Sequence, residues 1–386
     1  MRRSDLYKYS TGIILIAFII VMPDLIRHLL RFRLGGRNDS TPQILSTPWK
    51  PPALSLDSIF SEDHTWVSEI PSDKKWTLIA TGDVIPARSV NAQTVRRNDF
   101  TWGWEHIIPI LSTGDITLIN LESPLVPLCP VTESGMVFCG SQRHIEGLKA
   151  GSVTVASFAN NHMGNYGKKG ILETKQIVES NNIRVSGLVS GSTCNPERTK
   201  GVEVSPEQQC DAVSFSDIEM KGLRIAFLGF DDIGPNVPPI AKADEELMKQ
   251  EIIEAKNQAD VVIVSMNWGV EYTEKPTDRQ VFLAHLAIDS GADLIIGNHP
   301  HWIQPVEIYK SKMIMYAHGN TIFDQMWSEK TKEGVIGKYT FYGKDLVDVE
   351  FFPTYIKDYG QPTIPDNERK KMILDDLKRI SQDIAH

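Results

Sequence analysis

The sequence contains neither internal repeats nor low-complexity tracts, and only four of its 386 residues are cysteine. Glycine and proline are scattered rather than periodic, which excludes collagen-like and other fibrous classes, and 41% hydrophobic residues is too large a share for a disordered chain. The formal net charge is -9, and the body of the chain lacks the clustered Lys and Arg that phosphate contacts require. We therefore expect a globular protein that does not bind nucleic acid.

The four cysteines do not form a CxxC metal motif. They fall into two close pairs, Cys129 with Cys139 and Cys194 with Cys210, and each pair lies within one predicted loop. Two loop-closing disulfides are the economical interpretation, and these need an oxidising compartment. Four unrelated buried thiols remain the alternative.

The uncharged run Tyr9–Pro23 is shorter than the roughly 20 apolar residues that a membrane-spanning helix needs, unless the amphipathic stretch Leu25–Leu30 extends it. A cleaved signal peptide and an ordinary buried helix are alternatives, but no small-x-small cleavage site follows the run. We predict an N-terminal membrane anchor over residues 1–37. Because the cysteine pairs favour an oxidising compartment, the predicted localisation is a single-pass cell-membrane protein with an extracytoplasmic body.

After the predicted anchor, residues 38–75 are rich in Pro and Ser and are interpreted as a linker. From Trp76 onward, short apolar β-branched runs alternate with amphipathic helical patterns, which is typical of an α/β fold. This pattern predicts a domain over residues 76–355. Residues 356–386 are predicted to form a helical tail with mostly charged faces.

Six of the apolar runs end in side chains that could bind a metal or transfer a proton. In an open α/β sheet, ligands collect at the carboxyl ends of the strands because the loops converge there. Each residue alone has a structural explanation, since Asn and Asp are common in turns and buried histidines are often only hydrogen-bonded. The strand-end residues are Asp83; Glu122; Asn160, Asn161 and His162; Asn267 and Glu271; Asn298, His299 and His301; and His318, Asn320 and Asp324.

Two imidazoles in this set, His299 and His301, flank Pro300. Proline fixes φ, which lowers the entropy that neighbouring ligands lose when they are ordered. A mixed set of Asp, Asn, Glu and His suits one or two divalent ions such as Mn, Fe, Zn or Mg, whereas a purely thiolate set would not. A structural hydrogen-bond network is the alternative.

Six motifs follow one another between Trp76 and Phe352. They are TGDV (Thr81 to Val84), INLESPL (from Ile119), FANNHMGNYG (from Phe158), NWGVEYTEKPTDRQ (from Asn267), GADLIIGNHPHWIQPVEIY (from Gly291) and YAHGNTIFDQ (from Tyr316). Their order is that of the CapA family, which this part of the chain resembles. That family is linked to capsule and poly-gamma-glutamate synthesis and is similar to calcineurin-like metallophosphoesterases. The resemblance implies a two-sheet α/β sandwich with outer helices, of the metallo-dependent phosphatase-like class.

The resemblance also implies roles for individual residues. It assigns metal binding to Asp83, Glu122, Asn161 and His299 and proton transfer to His162 and His301, with Asn267, Glu271, His318 and Asn320 as further candidates. Family members commonly have His at the position of Asn267 and Asp at the position of Asn165. Asn can ligate through its carbonyl oxygen, but it cannot act as a general base at neutral pH.

These observations predict a metal-dependent hydrolase or transferase of capsule or poly-gamma-glutamate synthesis, acting on an anionic cell-envelope polymer. The alternative is a non-catalytic subunit that binds or exports the polymer beside a synthase. A third interpretation, an anchored domain that retains the crevice without chemistry, is favoured by Asn165 and Asn267.

Overall fold

The computed structural model describes residues 52–190 and 212–384. Its helices are α1 Leu56–Ile59, α2 Arg88–Arg97, α3 Ile108–Leu111, α4 Ile145–Ala150, α5 Gly167–Ser180, α6 Glu245–Gln258, α7 Asp278–Asp289, α8 Glu329–Lys332 and α9 Asn367–Ile384. Its strands are β1 Lys75–Val84, β2 Ile116–Leu121, β3 Leu125–Val126, β4 Gly140–Ser141, β5 Val155–Ser157, β6 Arg184–Ser186, β7 Leu188–Ser190, β8 Ala212–Ser214, β9 Ser216–Met220, β10 Leu223–Asp231, β11 Val261–Asn267, β12 Leu294–Asn298, β13 Ile303–Tyr309, β14 Lys312–His318, β15 Asn320–Ile322, β16 Glu333–Tyr342, β17 Asp345–Lys357 and β18 Gln361–Thr363.

Two large sheets carry the fold. The first has the strand order β18-β17-β16-β1-β2-β5-β6, with β15 also paired to β1, and its β1, β2, β5 and β6 run parallel. The second has the order β13-β14-β12-β11-β10-β9, in which β10, β11, β12 and β14 run parallel. Since both sheets contain consecutive parallel strands, each of them has an edge at which several carboxyl ends meet.

The core lies between and outside these sheets. One apolar cluster joins inward-facing residues of both, such as Leu78 and Leu118 of the first sheet and Ile263 and Ile296 of the second. A second cluster lies between the first sheet and helices such as α5, and a third lies between the second sheet and α6 and α7. The predicted α/β fold, a two-sheet sandwich with outer helices, is confirmed.

The apolar runs of the sequence correspond closely to the strands. All six apolar runs that end in candidate polar residues are strands, and the amphipathic patterns that begin near Lys168, Asp244 and Asp278 form α5, α6 and α7. The apolar runs after Pro300 have no long helix between them and form the antiparallel pairs β13–β14 and β16–β17. The C-terminal helix α9 also has an apolar face, since Ile373, Leu377 and Ile380 belong to the core.

The structure also bears on the N-terminal region and the cysteines. Residues 52–75, within the predicted linker, include α1 and a 3-10 turn over Thr65–Glu69. Cys129 and Cys139 form the predicted disulfide. The second predicted pair, Cys194 with Cys210, lies outside the described residues.

The predicted localisation needs correction. Within residues 52–190 and 212–384, no helix is both long and apolar enough to cross a bilayer. This finding contradicts the prediction of a single-pass cell-membrane protein with an extracytoplasmic body, which is withdrawn. The physical reason is that the longest described helix, α9, has 18 residues and carries charged side chains along its length, whereas a span needs roughly 20 mostly apolar residues. The segment predicted as the anchor, residues 1–37, lies outside the described residues.

Candidate functional site

The site begins where β1 and β2 end side by side. Asp83, near the end of β1, is fully buried, as is Glu122, which directly follows β2. The side-chain amide of Asn120 connects them, with its Nδ2 atom 2.9 Å from Asp83 Oδ1 and 3.2 Å from Glu122 Oε2. Gly82 is required beside them, because a Cβ atom there would lie 1.9 Å from the carbonyl oxygen of Gly319.

The two histidines that flank Pro300 reach the site from the loop after β12. Both adopt positive φ angles, 96° at His299 and 59° at His301, which non-glycine residues rarely adopt. The backbone N–H of His299 points to Asp83 Oδ1 at 3.4 Å. Backbone strain held in place by surrounding structure is common at functional sites, so this turn is a strong candidate for one.

The position of His301 fixes which ring nitrogen carries a proton. Its Nδ1 atom lies 3.0 Å from Asp83 Oδ2 and 2.9 Å from Asn320 Oδ1. The amide Nδ2 of Asn320 donates to the carbonyl oxygen of Thr331 at 2.9 Å, which identifies its Oδ1 as the acceptor. Because both neighbours of Nδ1 are acceptors, Nδ1 is the donor, and Nε2 is left to exchange a proton with a ligand.

A network of amides lies next to these groups. Asn267 Nδ2, at the end of β11, is 3.0 Å from Asn161 Oδ1 and 3.0 Å from Asp231 Oδ1. Asp231 ends β10 and also accepts from Lys242 Nζ at 2.7 Å. Asn160 bonds Asn120 Oδ1 at 3.0 Å, which ties the turn after β5 to β2. Lys242 therefore supplies the positive charge on this side of the site.

His162 borders the site and is covered by an aromatic ring. Phe138 stacks on its imidazole with ring centroids 3.9 Å apart. Asn165 Oδ1 lies 3.1 Å from His162 Nδ1 and accepts the backbone N–H of Phe138 at 2.6 Å. The Nδ1 atom of His162 is therefore the donor, and its Nε2 is free to accept a proton.

Burial dominates the electrostatics of the site. Burial and the neighbouring carboxylate of Asp83 raise the pKa of Glu122 well above its usual range. Burial also opposes ionisation of Asp83, but its contacts with His301 and Asn120 together outweigh burial and lower the pKa of Asp83. Burial lowers the pKa of His299 to about 3 and that of His162 below its ordinary value, so both imidazoles are neutral at pH 7.

The donors agree with a divalent cation in chemical type and in burial. Glu122 Oε1, His299 Nδ1 and Asn298 Oδ1 are buried and have no hydrogen-bond partner in the protein, a costly state that a bound cation would relieve. Within the described residues, however, no group of three or more His, Cys, Asp and Glu side chains is arranged to hold a metal ion. Amide oxygens such as those of Asn161 and Asn298 would therefore have to complete any coordination shell.

Comparison with known proteins identifies the family. The sequence profile described as "Bacterial capsule synthesis protein PGA_cap" matches residues 77–325, which is more than half of the chain. The chain belongs to this capsule synthesis family. The matched residues extend from β1 to just beyond β15 and include the strand ends that build the site.

Several curated relatives of the PGA_cap family are similar over most of their length. The PGA biosynthesis protein CapA of Bacillus subtilis (strain 168) is 28% identical over 320 residues, which is 80% of each chain. The capsule biosynthesis protein CapA of Bacillus anthracis is 27% identical over 332 residues, covering 80% of this chain and 76% of its own. A solved structure described as a novel phosphatase from Mycoplasma pneumoniae is 13% identical, covers 75% of this chain and 95% of its own, and has a TM-score of 0.47.

The structure brings together most residues that the resemblance to the CapA family singled out. Direct contacts connect Asp83, His299, His301 and Asn320, and Asn120 links Asp83 to Glu122 and Asn267. Glu271 lies close enough to influence the pKa of Glu122 and His162.

His318 is placed differently. Its Nε2 atom lies 2.8 Å from the hydroxyl of Tyr339 and its Nδ1 faces the carbonyl oxygen of Gly297, so it bridges strands inside the core. Burial lowers the pKa of His318 to about 4. Its contacts are those of a structural histidine.

Two residues of this candidate site, Asp231 and Asn120, were not predicted from the sequence. Asp231 ends β10 and bonds Asn267 and Lys242, so the rule about polar residues at strand ends would have found it. Asn120 lies within β2 and points to the site between two carboxylates. No local signal distinguishes Asn120, because its role depends on which neighbours the sheet supplies.

Proposed function

We propose that this PGA_cap protein is a metal-dependent hydrolase or transferase in the synthesis of an anionic capsular polymer. The observation that carries the proposal is the buried cluster of Asp83, Glu122, His299 and His301, in which Glu122 Oε1 and His299 Nδ1 have no partner. The relatives named for capsule and PGA biosynthesis support the polymer class. Synthase or export subunits are the expected partners.

The residues present suggest a division of work. Asp83, Glu122 and His299, with amide oxygens of Asn161 or Asn298, would hold one or two divalent ions. Such an ion activates a water molecule and polarises a phosphoryl or carbonyl oxygen. Asp83 and Asn320 hold the Nδ1 atom of His301, which would leave its Nε2 atom available to a ligand. Neutral His162 accepts a proton at Nε2, because Asn165 holds its other nitrogen.

Metal content of the full-length chain tests this proposal. We expect the purified protein to retain Mn, Fe, Zn or Mg and His299→Ala to lose it, since the Nδ1 atom of His299 is buried without a hydrogen-bond partner in the protein. His285→Ala is the matched control, because His285 bonds Glu307 outside the site. Hydrolysis of a phosphodiester probe and of poly-gamma-glutamate should then fail in His299→Ala but not in His285→Ala. A wild-type chain that binds no metal at saturating Mn or Zn contradicts the proposal.

The second candidate is a non-catalytic subunit that binds the polymer. Two observations favour it. Asn267 and Asn165 carry amides, which cannot act as general bases, and no group of three or more His, Cys, Asp and Glu in the described residues is arranged for a metal. The acidic chain would repel polyglutamate unless cations screened it. This alternative therefore expects polymer binding that a chelator abolishes, without any turnover.

A further inference from the structure

Three aromatic rings lie near one another, and one of them, Tyr272, is close to the ring of His301. The ring centroid of Tyr272 lies 6.1 Å from that of His301, 6.5 Å from that of Trp302 and 6.0 Å from that of Trp327. We refer to Tyr272, Trp302 and Trp327 as the aromatic wall. Trp327 is 61% exposed, whereas most large rings of the described chain are buried in the core. An exposed indole next to a buried polar cluster is typical of a binding surface.

The aromatic wall is held in place by hydrogen bonds rather than by apolar packing alone. The backbone N–H of Tyr272 donates to the carbonyl oxygen of Pro300 at 2.8 Å, which connects the wall to the turn that carries both histidines. Gln325 Nε2 donates to the Tyr272 hydroxyl at 3.0 Å. Trp302 Nε1 is buried without a partner and leaves an unused donor within the wall. A ligand that binds such a fixed surface loses little entropy in ordering the protein.

The charges around the aromatic wall disfavour a carboxylate-rich ligand. Lys330 lies 5.3 Å above the Trp302 ring, but it is already paired with Glu274 and Asp376. Arg88, whose charge reaches Tyr272, is paired with Asp324. Poly-gamma-glutamate carries a carboxylate on each residue, so its binding here would require cationic side chains that are not already paired with carboxylates.

A sugar ring suits the same surface. Its C–H face packs against an indole, while its hydroxyls can donate to carboxylates such as Glu271. Glu271 directly precedes Tyr272 and lies close enough to influence its hydroxyl. The Glu271 carboxylate would repel polyglutamate, but it can accept hydrogen bonds from the hydroxyl groups of a sugar.

We propose that the aromatic wall is a subsite for a neutral saccharide ring, with Trp327 as its main stacking surface. The ring would lie next to the bond on which His301 acts, so the catalytic use of this subsite rests on the function proposed above. The saccharide is either part of the polymer or the acceptor to which the polymer is joined. In both cases the shared chemistry is a neutral ring beside an acid-rich centre.

Oligosaccharide binding to the full-length protein tests the subsite. The probes are a tetramer of N-acetylglucosamine, a tetramer of glucose and a poly-gamma-glutamate oligomer, each titrated calorimetrically with and without a chelator. We expect at least one neutral tetramer to bind and Trp327→Ala to weaken it about tenfold or more, as expected for loss of an aromatic contact. Phe282→Ala is the matched control, because Phe282 is another exposed ring, 48% exposed, on helix α7.

Several outcomes would overturn the subsite. These are no binding of either tetramer up to about 10 mM, equal binding by Trp327→Ala, or a Trp327→Ala defect seen only with poly-gamma-glutamate. Failure of the proposed function can be distinguished from failure of the subsite. If only the proposed function is wrong, the wild-type chain contains no metal but still binds the oligosaccharide in the presence of chelator. Metal content of Trp327→Ala should equal that of the wild type.

Discussion

The Nδ1 atom of His301 lies 3.0 Å from Oδ2 of Asp83, and both side chains are almost completely buried. Asp83 thereby has two tasks, since its other oxygen faces Asn120 and the backbone of His299. A carboxylate that orients an imidazole and also offers an oxygen to a cation is difficult to replace by a neutral group.

We expect Asp83→Asn to lower divalent-metal affinity about 10- to 100-fold, because the amide keeps the shape of the side chain and removes its charge. Metal content after dialysis against graded chelator measures this. Asp348→Asn is the matched control, since Asp348 is also buried and also bonds a histidine, His64, but in another part of the fold. Equal metal retention by the two variants would exclude Asp83 as a ligand.

Lys242 is expected to stabilise the site from its other side. Its ammonium bonds Asp231 at 2.7 Å, and burial raises the pKa of that carboxyl despite the bond. Lys242→Met leaves Asp231 buried without a counter-charge and should lower the free energy of unfolding by about 3 kcal/mol. Urea titration measures the change. The double variant Lys242→Met with Asp231→Asn should recover part of the loss, and no recovery would show that Lys242 acts through something other than its charge.

Sequence reasoning reached the strands and the main site residues because both follow from local patterns. Asp83 and His299 directly end or follow apolar runs, and the strand-end rule places such residues at one edge. Lys242 could not be predicted, because it lies in the irregular segment between β10 and α6 and meets Asp231 only through the path of that loop. The aromatic wall could not be predicted either, because Tyr272 and Trp327 are distant in sequence and meet only in the folded chain.

Stability should depend on pH through His64. The hydrogen bond that His64 donates to the Asp348 carboxylate raises the pKa of His64 above its ordinary value, with partial burial opposing the shift. Protonated His64 therefore stabilises the folded protein. This contribution is fully present when the pH is below the pKa of about 6.5 in the unfolded chain, and it is lost as the pH rises through the pKa in the folded protein.

We therefore expect the wild type to lose about 0.5–1 kcal/mol relative to His64→Gln as the pH increases from below 6.5 to above the folded pKa of His64. Denaturant unfolding of both chains across this range measures the difference. A pH-independent difference between them would contradict the assignment of the charge to His64.

The disulfide between Cys129 and Cys139 ends next to Phe138, the ring that covers His162. Closing a loop of this length, with a separation of 10 residues, restricts the unfolded chain. Replacing both cysteines by Ser should lower the free energy of unfolding by about 2–3 kcal/mol. Chemical denaturation measures this loss, and a change below a few tenths would show that the loop is held by its other contacts.

Phe138 itself should control the protonation of His162. Burial is the main cause of the lowered pKa of His162, and the stacked Phe138 ring supplies part of that burial. Phe138→Ala admits water to the imidazole, so the pKa of His162 should rise toward the ordinary value of about 6.5. NMR titration of the His162 ring measures the shift, with Phe282→Ala as a control that leaves it unchanged. A rise in both variants would indicate general loosening, whereas a rise in Phe138→Ala alone shows that this one ring holds the pKa of His162 below its ordinary value.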